Sequence, residues 1–434
     1  MRLKDISIRF DYYLFFAMVL LIAIGCLMIY SAMYGSPAKT PFYAKQGSYA
    51  LLGIALIIVV MGINYRLFNQ YGKWIYLFSL LLLVLTLFFG KSVRGARSWL
   101  PIGNLAFQPA EFAKLGLIIM LAQYFTNYPE AVKRISGLIV PFLLTLAPVA
   151  LIILQPDPGS ALVFLAIFLA MLYFGGARRI YLVSIISVGI LALGIPLLLA
   201  LDPQNKTFFP RIFSNLSSTL GLIIVVIAII GLICYVLSRL KFRVRVNHFL
   251  FASLVISSGI MLSYPLDFFL KEYQKMRLVC FIKPSIDPLG AGYHIIQSQI
   301  SIGSGGFLGK GLLTGTQGRL GFLPAQHTDF IFSLLSEEMG FLGAGFLILL
   351  FLILLLRAVR IASLARNRFG SLLAGGIVAM FFFQIIVNLG MTMGIMPITG
   401  LPLPFVSCGG SSLITSMVGA GILLNIYSRH FMYW

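Results

Sequence analysis

Long apolar runs separated by short polar breaks set the pattern of the chain. Window hydropathy places uncharged or nearly uncharged runs at 12–33, 46–63, 74–90, 108–126, 137–154, 159–175, 180–201, 219–238, 249–265, 330–356, 371–394 and 410–428. Most are close to the ~20 residues a helix needs to cross a hydrocarbon core of about 30 Å. The pattern predicts an all-α integral membrane protein, a single polytopic helical bundle over 1–434 with about 12 transmembrane helices. The first run follows Arg2, Lys4 and Arg9. It is too long for a signal-peptide core and has no small-x-small cleavage site, so it reads as an uncleaved first span.

Composition agrees. Of 434 residues 60% are apolar and only 10% charged, well below the ~25% charged residues of soluble domains. A soluble globule, a disordered chain, a coiled coil, a collagen and a disulfide-stapled secreted scaffold are all excluded. The net charge of +20 is not read as a nucleic-acid footprint in such an apolar chain. Cys26, Cys234, Cys280 and Cys408 lie far apart with no His at metal-ligand spacing, and read as packing residues.

Charge placement gives sidedness. Loops on the N-terminal side collect 18 Lys and Arg, against 13 on the other side. The positive-inside rule then puts both termini in the cytoplasm. Nine outward cations sit in only two loops: Lys91, Arg94 and Arg97, then Lys271, Lys275, Arg277, Lys283, Lys310 and Arg319. They are read as anion ligands or, more blandly, as solvated charges and contacts to membrane lipid headgroups. The second loop, 267–328, is much the largest, and ten glycines fall between Asp287 and Gln326. Glycine permits close backbone approach, so the segment could line a cavity. It is not a nucleotide loop: Ser304 stands where a phosphate loop needs its first glycine, Gly311 follows Lys310, and Leu308 breaks G-x-G-x-x-G.

Each of the 12 acids can be weighed. Asp5, Asp11, Glu130, Asp202, Asp267 and Glu272 lie at span ends and are expected to be solvated. Glu111, Asp157, Asp287, Asp329, Glu337 and Glu338 fall within or beside spans or in the glycine-rich loop, where ionisable groups are functional candidates. Glu111 and Lys114, three apart on one helix, should neutralise each other within the bilayer, either fixing packing or lining a cavity. Asp157, in Gln155-Pro156-Asp157-Pro158-Gly159, is placed to cap the next helix. Ser333, Ser336 and Glu337 follow Asp329 at helical spacing, and Gln384, Asn388 and Thr392 form a second stripe; both could line a cavity or join helices. Asp287 follows a basic stretch and opens a glycine-rich turn, which allows either a turn-forming Asp-Pro or a reactive carboxylate.

Transfer of a sugar from a lipid diphosphate would use such an outward cation cluster and one exposed carboxylate: cations stabilise the leaving diphosphate and the carboxylate deprotonates the attacking hydroxyl. A flippase or an anion transporter would need the cations but no base.

Five motifs occur together: Pro101-Ile102-Gly103 with Phe107-Gln108-Pro109-Ala110-Glu111-Phe112-Ala113-Lys114; Gln155-Pro156-Asp157-Pro158-Gly159; Asp287-Pro288-Leu289-Gly290-Ala291-Gly292-Tyr293; His327-Thr328-Asp329-Phe330-Ile331-Phe332; and Gly400-Leu401-Pro402-Leu403-Pro404-Phe405-Val406-Ser407. Through them the chain resembles the SEDS family (shape, elongation, division, sporulation), and Gly315-Thr316-Gln317 is more similar to its elongation branch than to its division branch. The resemblance implies a peptidoglycan glycosyltransferase that polymerises lipid II on the outer face of the bacterial cytoplasmic (inner) membrane, releases undecaprenyl diphosphate and works with a class B penicillin-binding protein. Asp287 matches the family's loop aspartate and would be the catalytic base. Glu111, Lys114 and Asp157 match other motif positions, and Asp329 lies in the fourth motif. Contacts to the diphosphate by Arg94, Arg97, Lys310 and Arg319 are read from charge placement. Lipid II translocation without catalysis and a scaffold role are the competing readings. No carboxylate cluster marks a cofactor, yet a divalent cation, magnesium or manganese, could bridge the diphosphate to an acid. Family members usually have ten spans, so 203–266 reads as an inserted hairpin; Cys408 stands where the family usually has tyrosine.

Overall fold

The computed structural model describes residues 10–34, 42–93, 96–102, 105–201, 216–239, 246–269, 272–290, 292–316, 322 and 325–430. Helices dominate: α1 Tyr12–Met33, α2 Phe42–Gly62, α3 Arg66–Phe89, α4 Pro109–Asn127, α5 Ile139–Leu154, α6 Pro158–Gly175 and α7 Arg179–Leu201. They continue with α8 Leu216–Arg239, α9 Val246–Phe269, α10 Glu272–Ile282, α11 Tyr293–Ser304, α12 Ile331–Leu364, α13 Arg368–Met393 and α14 Gly410–His430.

Local chemistry sets the ends. Asp11 accepts the Leu14 N–H at 3.0 Å to cap α1, Pro109 occupies the first turn of α4, and Asn367 accepts the Gly370 N–H at 2.9 Å to cap α13. Gly176 and Gly394, at φ 88° and 76°, end α6 and α13 in the left-handed conformation that a Cβ disfavours.

Among the described residues nine helices are long and apolar enough to cross a membrane: α1, α2, α3, α5 with its preceding turn, α6, α7, α12, α13 and α14. The expected count of twelve is therefore not established. Glu111 and Lys114 lower the hydropathy of α4, and the described apolar stretches of α8 and α9 are shorter, Ser217–Ile233 and Phe251–Pro265. The structure also adds a feature the hydropathy windows do not predict. Between α3 and α4 lies a small antiparallel sheet, β1 Lys91–Val93, β2 Ala96–Ile102 and β3 Leu105–Phe107, in the order β1-β2-β3. Lys91 pairs with Trp99 and Pro101 with Ala106. Strands of three to seven residues are invisible to a window sized for a membrane span.

The chain forms two compact units, one of Met1–Ala177 with His294–Trp434 and one of Arg178–Tyr293. In the first, α13 and α14 are central, with 72% and 78% of their apolar windows buried, whereas α2 buries only 22%. Leu51 and Phe88 stand 71% and 76% exposed on α2 and α3, the outward apolar surface expected of helices that face lipid. In the second unit α9 packs against both α7 and α8, and α10 packs on α7.

Candidate active site

Within the first unit, the glycine-rich segment after α11 docks into a break in α12. Gly340, at φ 63° and ψ −161°, interrupts the helix, so the Phe341 and Leu342 N–H groups do not reach the Glu337 and Glu338 carbonyls four residues back. The segment supplies all four partners. Lys310 and Gly311 donate their N–H groups to the carbonyls of Glu337 and Glu338, each at 3.0 Å, and the carbonyls of Gly306 and Phe307 accept from Phe341 and Leu342 at 2.9 and 3.2 Å. A buried unpaired backbone group is costly, and here the break and its plug satisfy each other.

Glycine makes the approach possible. A Cβ on Gly305 would sit 2.0 Å from the Ser336 carbonyl oxygen, and one on Gly340 would sit 2.3 Å from the Gly309 nitrogen. Gly305, Gly309 and Gly340 thus let backbone meet backbone within the first unit.

The docked segment carries a lysine to a buried carboxylate. Lys310 Nζ donates to Glu337 Oε1 at 2.7 Å and to Thr316 Oγ1 at 2.9 Å. The same Oε1 accepts the Thr316 N–H at 2.8 Å and hydroxyl at 2.9 Å, and Oε2 accepts the Ser301 hydroxyl at 3.2 Å. The Glu337 side chain is wholly buried, while that of Lys310 is 27% exposed. Next to it, Glu338 Oε1 accepts the Ser31 hydroxyl at 2.5 Å.

A second pair lies on α4. Lys114 Nζ meets Glu111 Oε1 at 2.7 Å with side chains 0% and 3% exposed, the intrahelical neutralisation that the i,i+3 spacing predicts. Asp157 caps α6 through the Ser160 N–H at 3.1 Å and accepts the Gln108 side-chain amide at 3.2 Å, which ties the second motif to the residue preceding α4. The Gln108 N–H in turn donates to Ser411 Oγ at 2.9 Å.

The fourth and fifth motifs are also joined within the first unit. Asn388 Nδ2 donates to the carbonyls of Asp329 and Leu401 at 3.0 and 2.7 Å. Ser407 donates its hydroxyl to the Thr328 carbonyl at 2.6 Å, and the Cys408 N–H reaches the His327 carbonyl at 2.9 Å. The Asp329 carboxylate lies beside Gly400, where a Cβ would approach Oδ2 to 3.7 Å. Asn388, the middle of the second stripe, therefore joins backbone segments. The Cys408 thiol is pushed up to about 11, chiefly by burial.

In the second unit, Asp287 ends a short 3-10 turn, Pro284–Ile286, that follows α10. Its Oδ1 accepts the Gly290 N–H at 3.0 Å and its carbonyl accepts the Gly292 N–H at 2.9 Å. A Cβ on Gly290 would come within 2.2 Å of Oδ2, so glycine there is what leaves the carboxylate its place. Asp287 is half-buried, and Lys275, Arg277 and Lys283 lie on or just after α10.

Of the other cations, Arg97 is exposed on β2, while Arg94 and Arg319 fall outside the described residues. Asp11 corrects an expectation: it is 2% exposed and accepts a forked pair from Arg357 at 3.0 and 2.6 Å. Its partner is 346 residues away, so no local signal marks it. Sequence reasoning misses Ser31 and Ser301 for the same reason, since they are ordinary polar residues until the fold brings them to Glu338 and Glu337, and Thr316 stands out only within the Gly315-Thr316-Gln317 signature, with no sign of its bonds to Glu337. Among the described residues no three His, Cys, Asp or Glu side chains come together as a metal site.

Membrane-length helices around buried Glu–Lys pairs, with a glycine-rich segment plugged into a broken span, define a polytopic membrane protein with an ionic interior. The family model of the cell cycle protein family FtsW/RodA/SpoVE matches residues 12–215 and 214–431; the chain belongs to this family, the SEDS family whose motifs it carries. It is 38% identical to the peptidoglycan glycosyltransferase RodA of Treponema pallidum (strain Nichols), over 99% of this chain and 100% of that protein. Identity to the peptidoglycan glycosyltransferase MrdB of Escherichia coli (strain K12) is 31%, over 95% and 94%. A solved chain described under the structural coordination of polymerization and crosslinking by a peptidoglycan synthase complex superposes with a TM-score of 0.67, at 29% identity over 98% of this chain and 99% of that one.

Proposed function

We propose that the protein is a peptidoglycan glycosyltransferase of cell elongation. It transfers glycan from an undecaprenyl-diphosphate-linked donor to the 4-hydroxyl of lipid II on the outer face of the inner membrane, with both termini in the cytoplasm. The relatives' names support the reaction class, and the synthase-complex neighbour supports a class B penicillin-binding protein as partner.

The observation that carries the mechanism is the Asp287 turn. One carboxylate oxygen is held by the Gly290 N–H and the other has room only because residue 290 lacks a Cβ. A carboxylate so fixed is oriented to accept a proton. Asp287 takes the proton of the acceptor hydroxyl as its oxygen bonds to the donor's anomeric carbon. The bond from that carbon to the diphosphate oxygen breaks, inverting the centre, and the electron pair leaves with undecaprenyl diphosphate. Arg94, Arg97, Lys310 and Arg319 offset the charge that develops there. Glu111, Lys114, Asp157 and Asp329 maintain the substrate-binding interior.

Strand synthesis from purified lipid II by the full chain with its penicillin-binding protein tests this, comparing wild type with Asp287→Asn. Long strands from wild type and none from a correctly folded variant are expected. Equal synthesis by both would remove Asp287 from the mechanism.

A further inference from the structure

Transfer by Asp287 leaves unused a first-unit carboxylate, Glu337, that accepts four hydrogen bonds from three residues. Glu337 is wholly buried in a membrane-length helix, where an ionised side chain is retained only with partners. It has more than one: besides Lys310 it receives the N–H and hydroxyl of Thr316 and the hydroxyl of Ser301. Its charge is therefore held in place even if the lysine turns elsewhere. Lys310 is differently situated. An ammonium has three N–H donors; two go to Glu337 and Thr316, and its side chain keeps 27% of its surface exposed. A lysine on a free four-carbon stem must be ordered before it meets a phosphate. This one is already ordered, at its backbone by the plug in the α12 break and at its head by Glu337.

We propose that Glu337 is a positioning residue for the lipid-linked diphosphate: through Lys310 and Thr316 it clamps the glycine-rich segment so that one ammonium N–H is presented, pre-ordered, to the anion. The inference rests on the reading of Lys310 as a phosphate ligand and adds the residue that aims it. A plain counter-ion would behave in the opposite way. Removing a negative charge beside a diphosphate strengthens attraction to the remaining cations, so a Glu337 that merely neutralises Lys310 should, when made neutral, tighten binding. If it positions Lys310, neutralising it frees the stem and weakens binding. The sign of the change separates the two.

The test uses the purified full chain and the binding of farnesyl diphosphate, with inorganic diphosphate as a second probe to separate recognition of a lipid headgroup from recognition of the free anion. Lys310→Ala, Glu337→Gln, their double variant and Thr316→Val are compared with wild type, with thermal unfolding as the folding control. Loss of one charge-assisted hydrogen bond is worth roughly tenfold in affinity. The expected result is weakening of that order in Lys310→Ala and in Glu337→Gln, and no further loss in the double variant. If Lys310→Ala weakens binding but Glu337→Gln binds as wild type or tighter, the positioning role falls and the phosphate-ligand reading stands. If Lys310→Ala binds as wild type, the phosphate-ligand reading falls and takes this inference with it. Should Glu337→Gln fail to fold, Thr316→Val decides: it removes the hydroxyl that bonds both the Lys310 ammonium and the Glu337 carboxylate, so binding weakened about tenfold supports the clamp, and unchanged binding overturns it.

Discussion

Two Glu–Lys pairs in the first unit have the same 2.7 Å separation but different placements. Glu111 and Lys114 are three residues apart on one helix, with side chains 3% and 0% exposed. Glu337 and Lys310 come from a helix and a glycine-rich segment, and the lysine is 27% exposed. Separation alone therefore says little about what a pair does. The α4 pair is closed, so its free energy lies in each charge protecting the other from an apolar interior. The pair at the α12 break has one anchored member and one accessible member, the arrangement a ligand-facing cation needs. An exposed pair, Glu130 and Lys133, again at 2.7 Å but 78% and 55% exposed, marks the solvated end of the range.

The largest effect should come from breaking the closed pair. Lys114→Ala leaves Glu111 buried and unpaired and is expected to cost about 3–5 kcal/mol, read as loss of folded protein in thermal unfolding. Glu111→Gln combined with Lys114→Met should recover most of it, because no charge is left behind. A single variant as stable as wild type would show that the interior does not need the pair.

Next in size is the helix break. Gly340→Ala puts a Cβ at φ 63° and against the Gly309 nitrogen, a strain of about 1–3 kcal/mol. Proteolysis within 305–316 should accelerate as the segment undocks, and an unchanged cleavage rate would count against the splice.

Lys310→Ala should be milder for the fold. Glu337 keeps the Thr316 and Ser301 donors and the lost partner is partly solvated, so unfolding should shift by no more than about 1 kcal/mol. A shift as large as that of Lys114→Ala would erase the distinction between the pairs.

The smallest effect belongs to Glu130→Gln. Hydrogen bonding and attraction from Lys133 hold the Glu130 carboxyl below its ordinary value. A depressed folded value means that the pair's stabilisation is present above the ordinary glutamate range and disappears as pH falls through the depressed value. Melting curves of variant and wild type should therefore coincide at low pH and stay within error of each other at neutral pH; a clear neutral-pH loss would show that exposure does not rank these pairs.

The same three pairs measure what local pattern can and cannot reveal. The i,i+3 spacing makes Glu111–Lys114 legible from the order of residues alone, as the Pro-Asp-Pro-Gly break does for the Asp157 cap. Glu337–Lys310 spans 27 residues and Ser31–Glu338 spans 307, and no periodicity reports on such separations. Gly340 inside an apolar run reads as an ordinary helical glycine until its dihedral angles are known. Asp11 illustrates the reverse failure: its place at a span end argues for solvent, yet Arg357 folds onto it.

Hydropathy, capping and helical spacing act over a few residues or one span. For that reason the order of residues was enough to define a helical membrane chain, its family motifs, its local caps and its intrahelical pair. Packing settled where α12 breaks, that the glycine-rich segment fills the break, and which carboxylate holds Lys310. Those outcomes depend on backbone approaching backbone across distant segments, and such approaches are fixed only when the helices come together.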